Sequence, residues 1–409
     1  MRYLRSKFQR RSLIYRIMSG NRTNKESLSD IMRTIRAILI LLIATSLGIS
    51  LSSPVSAKKA AKKATPPQVS AWIAFWDWRN GSTTLQKQGD IIKEIMPFWY
   101  DMDSTGEIFY SEGIPHLTSA GKLSLDPHQF VRDCHQQGMK VLPLISNEFG
   151  KERVHALLSD ETSRQRHIDN ILRLVRTYGY DGVDIDYEGL MKEDRDAYSS
   201  FLSDLGKALH KEKKLLSVAV MAKTSEPGSW DSVIAMDYKA IGKAADRVRI
   251  MAYDYHYSGG EPGPIAPLSW VRNILDFATR EIPPQKIWLG IGIYGIDWGP
   301  GKDRELSYND ATTLAARYEI QPQWDPDWSE TWFTYTEIST FAQRTVWFQE
   351  SQSLQKRWEF CCNYNIGGIS LWRIGSEDGK IWQIFRKPQS NKGKPRQTPV
   401  SGKPKTSRK

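Results

Sequence analysis

The chain has 409 residues of ordinary globular composition, enough for one large domain or two smaller ones and inconsistent with global disorder. Its formal net charge of +11 sits at the ends: residues 1–65 hold 14 basic and two acidic side chains, and residues 387–409 hold eight basic and none acidic. The middle, 66–386, keeps 35 basic against 44 acidic residues, which excludes a nucleic-acid-binding core carrying its own basic face.

In chain order, the first legible element is MRTIRAILILLIATSLGISLSSPVSA at 32–57. Arg33 and Arg36 precede an apolar run from Ala37 to Leu51, and Val55-Ser56-Ala57 forms a small-residue cleavage site. That pattern predicts a secretory signal peptide, or an uncleaved membrane anchor through 35–55, so the protein is expected to be secreted or held in the cell envelope. Met32 is a natural start for it. Residues 1–31 are then either a misassigned gene start or an Arg-rich extension retained in the cytoplasm. KKAAKKATPPQ (58–68) reads as a basic linker.

Between 69 and 386, short apolar runs alternate with amphipathic stretches. The runs are VSAWIAFWDW (69–78), EIMPFWYD (94–101), MKVLPLIS (139–146), YDGVDIDYE (180–188), LLSVAVMA (215–222), RVRIMAYDY (247–255), KIWLGIGIYG (286–295) and GGISLWRI (367–374). They are rich in Val, Ile and aromatics and too short for helices. Among the intervening stretches, 164–179 places Ile168, Ile171, Leu172 and Val175 at helical spacing and ends at Gly179; 194–214 does the same with Tyr198, Phe201, Leu202, Leu205 and Leu209. Eight strand–helix repeats predict an α/β fold, a (β/α)8 TIM barrel. A doubly wound sheet is the rival, but no Gly-rich phosphate loop is present. The segment 303–345 is too long for a plain loop and is predicted to be a small α+β insertion between strands 7 and 8. The tail 387–409 is Pro, Ser and Lys rich and reads as disordered. Both basic ends could hold the protein near an anionic cell wall or membrane.

Cys134, Cys361 and Cys362 form no disulfide framework and no zinc spacing, and read as buried thiols. The 15 tryptophans fit two uses, core filling or platforms for sugar rings.

The segment Asp181-Gly182-Val183-Asp184-Ile185-Asp186-Tyr187-Glu188 is the most informative. Strand alternation puts Asp184, Asp186 and Glu188 on one face and Val183, Ile185 and Tyr187 on the other. In a barrel the apolar set meets the helices, so the three acids point inward. Three stacked like charges are costly unless they share protons, and coupled titration would keep Glu188 protonated near neutral pH. No cation is evident nearby to neutralise them. An inward ion-pair cluster and a Ca²⁺ or Mg²⁺ site are the competing readings. Glu188 ends the strand at the face where barrel active sites lie.

The octapeptide matches the DxxDxDxE signature and resembles glycoside hydrolase family 18, the chitinase-like family. Met251-Ala252-Tyr253-Asp254 resembles that family's MxYD on the sixth strand, and Trp372 the Trp beneath the cleft on the eighth. GPIAPLSWV (263–271), KIWLGIGIYGIDWG (286–299) and LWRIGSED (371–378) resemble its spore-germination and cell-wall N-acetylglucosaminidase branch. The resemblance implies substrate-assisted, retaining hydrolysis of polymers of 2-acetamido sugars, without metal or organic cofactor. It implies Glu188 as proton donor, Asp186 as the group that bonds the acetamide N–H and stabilises the developing positive charge, Asp184 as sharing a proton with Asp186 and tuning it, and Tyr253 as supporting the acetamido oxygen. Trp372 would stack beneath the sugar, Asp254 would position hydroxyls, and Met251 would line the site. Asp181, of opposite parity, is assigned a structural role. Peptidoglycan is the favoured polymer; a chitinase or N-glycan endoglycosidase shares the chemistry, and a non-catalytic glycan-binding lectin is the reading from another class. Lectins of this family lose the equivalent of Glu188, which is present here. A monomer without nucleic-acid partners is expected.

Overall fold

In a computed structural model, the structure describes residues 67–111 and 126–386. The segments 1–31 and 32–57 and the tail 387–409 lie outside them, as does the linker except Pro67 and Gln68.

Eight parallel strands close on themselves. They are β1 (Gln68–Ala74), β2 (Ile92–Met102), β3 (Leu144–Ser146), β4 (Gly182–Asp186), β5 (Leu215–Met221), β6 (Arg247–Met251), β7 (Ile287–Gly292) and β8 (Gly368–Trp372). Each pairs with its neighbours in sequence order, and β1 pairs with both β2 and β8, which closes the ring. Helices lie between the strands, so the fold is the expected (β/α)8 barrel. Lys140–Val141 also pairs with β2, and Leu142-Pro143 separates it from β3. Proline has no N–H to give the ladder, which explains the break.

The helices form where the apolar spacing placed them. Glu161–Tyr178 starts at Asp160, whose carboxylate accepts the Ser163 N–H, and stops at Gly179 with φ 75°. Arg195–Lys211 buries Tyr198, Phe201, Leu202, Leu205 and Leu209. Val183, Ile185 and Tyr187 pack outward into this core. Tyr187 is fixed by a 2.5 Å hydrogen bond to His167 Nε2, while His167 Nδ1 donates to the Gly106 carbonyl. Burial lowers the His167 pKa to about 4, so the ring is neutral and its Nε2 can accept. Asp181 lies at the foot of β4 and ties it to its neighbour, accepting from the Val141 N–H at 2.8 Å and bonding His135 at 2.8 Å. Asp246, at the foot of β6, repeats the device with the Leu216 N–H and His210.

Several strand ends differ from the sequence reading. The first run stops at Ala74, and Phe75–Asp77 turns into the helix Trp78–Gln88. The sixth stops at Met251: the Ala252 N–H turns back to the Ile250 carbonyl at 2.8 Å, and Asp254 then adopts φ 56°. The seventh divides: Gly295–Trp298 leaves the barrel and joins the insertion, which is therefore longer than 303–345. The insertion is a five-stranded antiparallel sheet with the helix Tyr308–Arg317. Alternation along Gln343–Phe348 sends Val346 and Phe348 into the insertion's own core with Phe333 and Ala311. It sends Trp347 into a cluster with Ile265, Tyr294 and Trp298 that reaches Tyr253 and Trp372.

The expectation that no cation stands near the stacked acids is corrected by the barrel interior. Arg249 on β6 is fully buried, and its Nε lies 3.5 Å from Asp184. Its guanidinium donates to Glu94 at 2.6 Å, to Ser217 at 2.8 Å, to Ser70 at 2.7 Å and to Ser370 at 2.8 Å, and sits 4.8 Å from the Trp288 ring centre. Burial acts to raise the Glu94 carboxyl, but the Arg249 and Arg247 guanidiniums prevail and hold it below its usual range. Removing one partner of such a buried pair leaves an uncompensated charge and costs about 3–5 kcal/mol. Arg249→Met is therefore expected to lose stability on that scale in urea unfolding at neutral pH. Adding Glu94→Leu should restore much of it. Additive losses in the double variant would contradict the pairing.

Candidate active site

The carboxylates ascend from the barrel interior to its mouth. Asp184 is fully buried. Its Oδ2 accepts from Trp72 Nε1 on β1 at 2.9 Å, and its Oδ1 accepts from the Ser217 hydroxyl on β5. Burial pushes its pKa up, while Arg249, Ser217 and Trp72 act against that rise. Asp186, one pleat higher, is 8% exposed, and its Oδ1 is buried with no hydrogen-bond partner among the described residues. Burial, then Glu188, then Asp184 push its pKa well above the usual carboxylate range. Glu188, just beyond the strand, is half-buried; burial, then the Asp254 carboxylate, raises its pKa to about 7. The expected inward stacking is present, and the Glu188 pKa lies in the expected direction, with burial and then Asp254 as its causes.

The remaining candidates converge on the same mouth. Tyr253 stacks on Trp372 with ring centres 6.5 Å apart and planes inclined by 13°. Burial and the surrounding acids raise the Tyr253 pKa far above its ordinary value, so the phenol keeps its proton and remains a donor. Asp254 is exposed and accepts a hydrogen bond from Tyr294. Met251 lines the cleft beside Glu188. The crowding at Tyr253 requires missing side chains on β7: a Cβ at Gly292 would stand 2.6 Å from the Tyr294 ring and 3.1 Å from Tyr253.

Beyond Glu188 the mouth opens into a cleft of about 930 Å³, with Trp230, Tyr255, Tyr257 and Phe149 exposed on its walls. Trp76 is exposed 6.4 Å from Trp372. Flat, exposed rings thus stand beside the acid in the cleft and beside Trp372 at the mouth. Among the described residues, no cluster of three or more His, Cys, Asp or Glu could hold a metal ion.

Sequence reasoning missed Arg249, Glu94, Trp72, Ser217 and Asn147. For Arg249 the signal was available, because the parity that turns Met251 inward on β6 also turns Arg249 inward. Asn147 carried none, because it acts from a turn.

A carboxyl raised from 4.5 to about 7 on folding destabilises the fold above the folded value, and the penalty is relieved as pH falls toward 4.5. Glu188→Gln is therefore expected to be more stable than the parent at about pH 8, on the order of 1–3 kcal/mol. The advantage should shrink as pH drops to about 5. Equal urea midpoints at about pH 8 would contradict the raised pKa.

The family pattern of Glycosyl hydrolases family 18 matches residues 71–378. The putative sporulation-specific glycosylase YdhD of Bacillus subtilis is 30% identical over 332 residues, 78% of this chain and 76% of that protein. The cortical fragment-lytic enzyme of Bacillus subtilis is 32% identical over 256 residues, 60% of this chain and 59% of that protein. The solved structure of the Bacillus cereus spore cortex-lytic enzyme SleL aligns with a TM-score of 0.70 at 25% identity, covering 80% of this chain and 75% of the other. These likenesses fall in the spore-germination branch that 263–271, 286–299 and 371–378 resembled. The chain belongs to glycosyl hydrolase family 18 and is a glycosidase.

Proposed function

We propose that this glycosidase cleaves β-1,4 bonds in peptidoglycan on the reducing side of N-acetylglucosamine, by substrate-assisted catalysis with retention of configuration. The observation that carries the reading is the carboxylate stack: Glu188 has a pKa of about 7 at the mouth, beside a neutral Tyr253 and the Trp372 ring. A carboxylic acid that keeps its proton near neutral pH is a general acid.

In this reading Trp372 stacks beneath the sugar whose bond is cut. The Glu188 carboxyl gives its proton to the glycosidic oxygen. The sugar's acetamido oxygen attacks the anomeric carbon as the C1–O bond breaks, forming a cyclic oxazolinium ion. Asp186, which holds its proton in the unliganded protein, passes it to Asp184 as the sugar binds; its carboxylate then accepts the acetamide N–H and stabilises the cation. Asp184 shares a proton with Asp186, and the Tyr253 hydroxyl donates to the acetamido oxygen. Water then opens the ring and returns a proton to Glu188, which regenerates the acid. The sugar supplies the nucleophile, so a polymer without 2-acetamido groups should not react. Met251 and Asp254 would border the bound sugar.

Peptidoglycan is favoured over chitin because the relatives are named for sporulation and cortex lysis. The signal-like segment 32–57 supports action in the cell envelope or outside, and the basic ends would suit an anionic wall or membrane.

The test incubates residues 58–409 with peptidoglycan sacculi and, separately, with chitin oligosaccharides, and identifies the new reducing end by mass spectrometry. Fragments ending in N-acetylglucosamine from sacculi are expected. Cleavage of chitin alone would move the substrate to chitin. Glu188→Gln is expected to lower kcat by about 10²–10⁴-fold, and a near-parental rate would overturn the assignment. The donor works only while protonated, so kcat/KM of the parent should fall as pH rises through about 7. Asp254→Asn removes a like charge and should move that fall to lower pH.

A further inference from the structure

We propose that Asn147 is a positioning residue for the reaction, fixing the backbone at Glu188 and so the direction from which its carboxyl enters the cleft. The inference rests on Glu188 being the proton donor.

Glu188 lies beyond the reach of the strand ladder. β4 ends at Asp186, and the last pair between β3 and β4 is Ser146 with Asp186. One residue past that pair, the side-chain amide of Asn147 does what a neighbouring strand would have done. Its Nδ2 donates to the Glu188 carbonyl at 2.7 Å, and its Oδ1 accepts the Glu188 N–H at 2.8 Å. Both main-chain polar groups of the donor residue are thus held by one side chain 41 positions away. A residue that merely closed its own turn would bond within that turn.

The surrounding chain is arranged to present this amide. Asn147 is 1% exposed. The next two residues, Glu148 and Phe149, adopt φ of 49° and 57°, a left-handed pair that non-glycine residues seldom form. The turn closes with the Gly150 N–H donating to the Asn147 carbonyl at 2.8 Å. On the other side, Gly189 has φ 67°, and a Cβ there would stand 3.0 Å from the Phe149 carbonyl oxygen. The turns after β3 and β4 therefore fit against each other, with Glu188 held between Asp186 and Gly189. Asn147 does not border the cleft, so it acts on the reaction through Glu188 and not through the sugar. Small displacements of a proton donor are expensive in rate; about 1 Å can cost about 10²-fold.

The test compares the parent with Asn147→Ala and Asn147→Asp on peptidoglycan sacculi and chitin oligosaccharides, with rates normalised to the folded fraction from thermal melts. Asn147→Ala loses both bonds and is expected to lower kcat by about 10–100-fold at every pH, with KM within about twofold. Asn147→Asp carries its own signature. A protonated carboxyl keeps one donor and one acceptor and can restore both bonds, whereas a carboxylate offers only acceptors to the Glu188 carbonyl. Its deficit relative to the parent should therefore narrow as pH falls. The inference is overturned if Asn147→Ala keeps half or more of the parental kcat per folded molecule, or if the Asn147→Asp deficit does not change with pH. If the parent itself cleaves neither polymer, the reading of Glu188 fails, and this inference with it.

Discussion

The structure is organised around too few cations for the carboxylates stacked inside one barrel. Glu94 and Asp184 at the base are served by Arg249, with Arg247 assisting at Glu94. No guanidinium or ammonium pairs with Asp186 or Glu188 among the ion pairs of the described residues. In a low-dielectric interior two adjacent carboxylates without a counter-charge cannot both ionise cheaply. The shortage is therefore met by protons, and it falls on the two groups nearest the mouth. The buried arginine holds Glu94 charged and works against the rise at Asp184, and leaves the shallow end, where burial raises Asp186 and Glu188, holding what an acid catalyst must give away.

The rest of the molecule keeps that stack in register. The outward residues of β4 are locked against helices, Tyr187 through a neutral His167. Asp181 and Asp246 pin the feet of β4 and β6, the two strands that carry most of the site. The insertion adds Trp347 and Trp298 to a cluster that reaches Tyr253 and Trp372, so the ring pair at the mouth is backed by packed aromatics. Exposed rings then line the cleft beside Glu188, and Trp76 stands exposed beside Trp372.

Much of this was legible in the sequence because it depends on periods of two and 3.6. Eight apolar runs separated by amphipathic helices gave the barrel, and alternation alone put Asp184, Asp186 and Glu188 on one face. What alternation could not supply was the end of each strand. Asp254 leaves the extended region, and Tyr187 and Glu188 lie past the ladder, because the turn and not the side-chain pattern decides where pairing stops. The insertion began earlier than expected because KIWLGIGIYG is one apolar run serving two sheets. Arg249 was readable by parity and was overlooked; an arginine between valine and isoleucine resembles a surface residue until its partners Glu94, Ser70 and Ser370 are known. Asn147 could not be read at all, since its partner is 41 residues away and it sits in a turn of unusual φ.

The most direct test of this account is the protonation state of Glu188 in the unliganded protein, followed by carboxyl ¹³C NMR with Glu188→Gln identifying the resonance. The account requires its main titration step near pH 7, with Arg249 and Glu94 intact. A single step at the ordinary carboxylate value, near 4.5, would mean that the stack is neutralised some other way and that Glu188 has no proton to give at neutral pH.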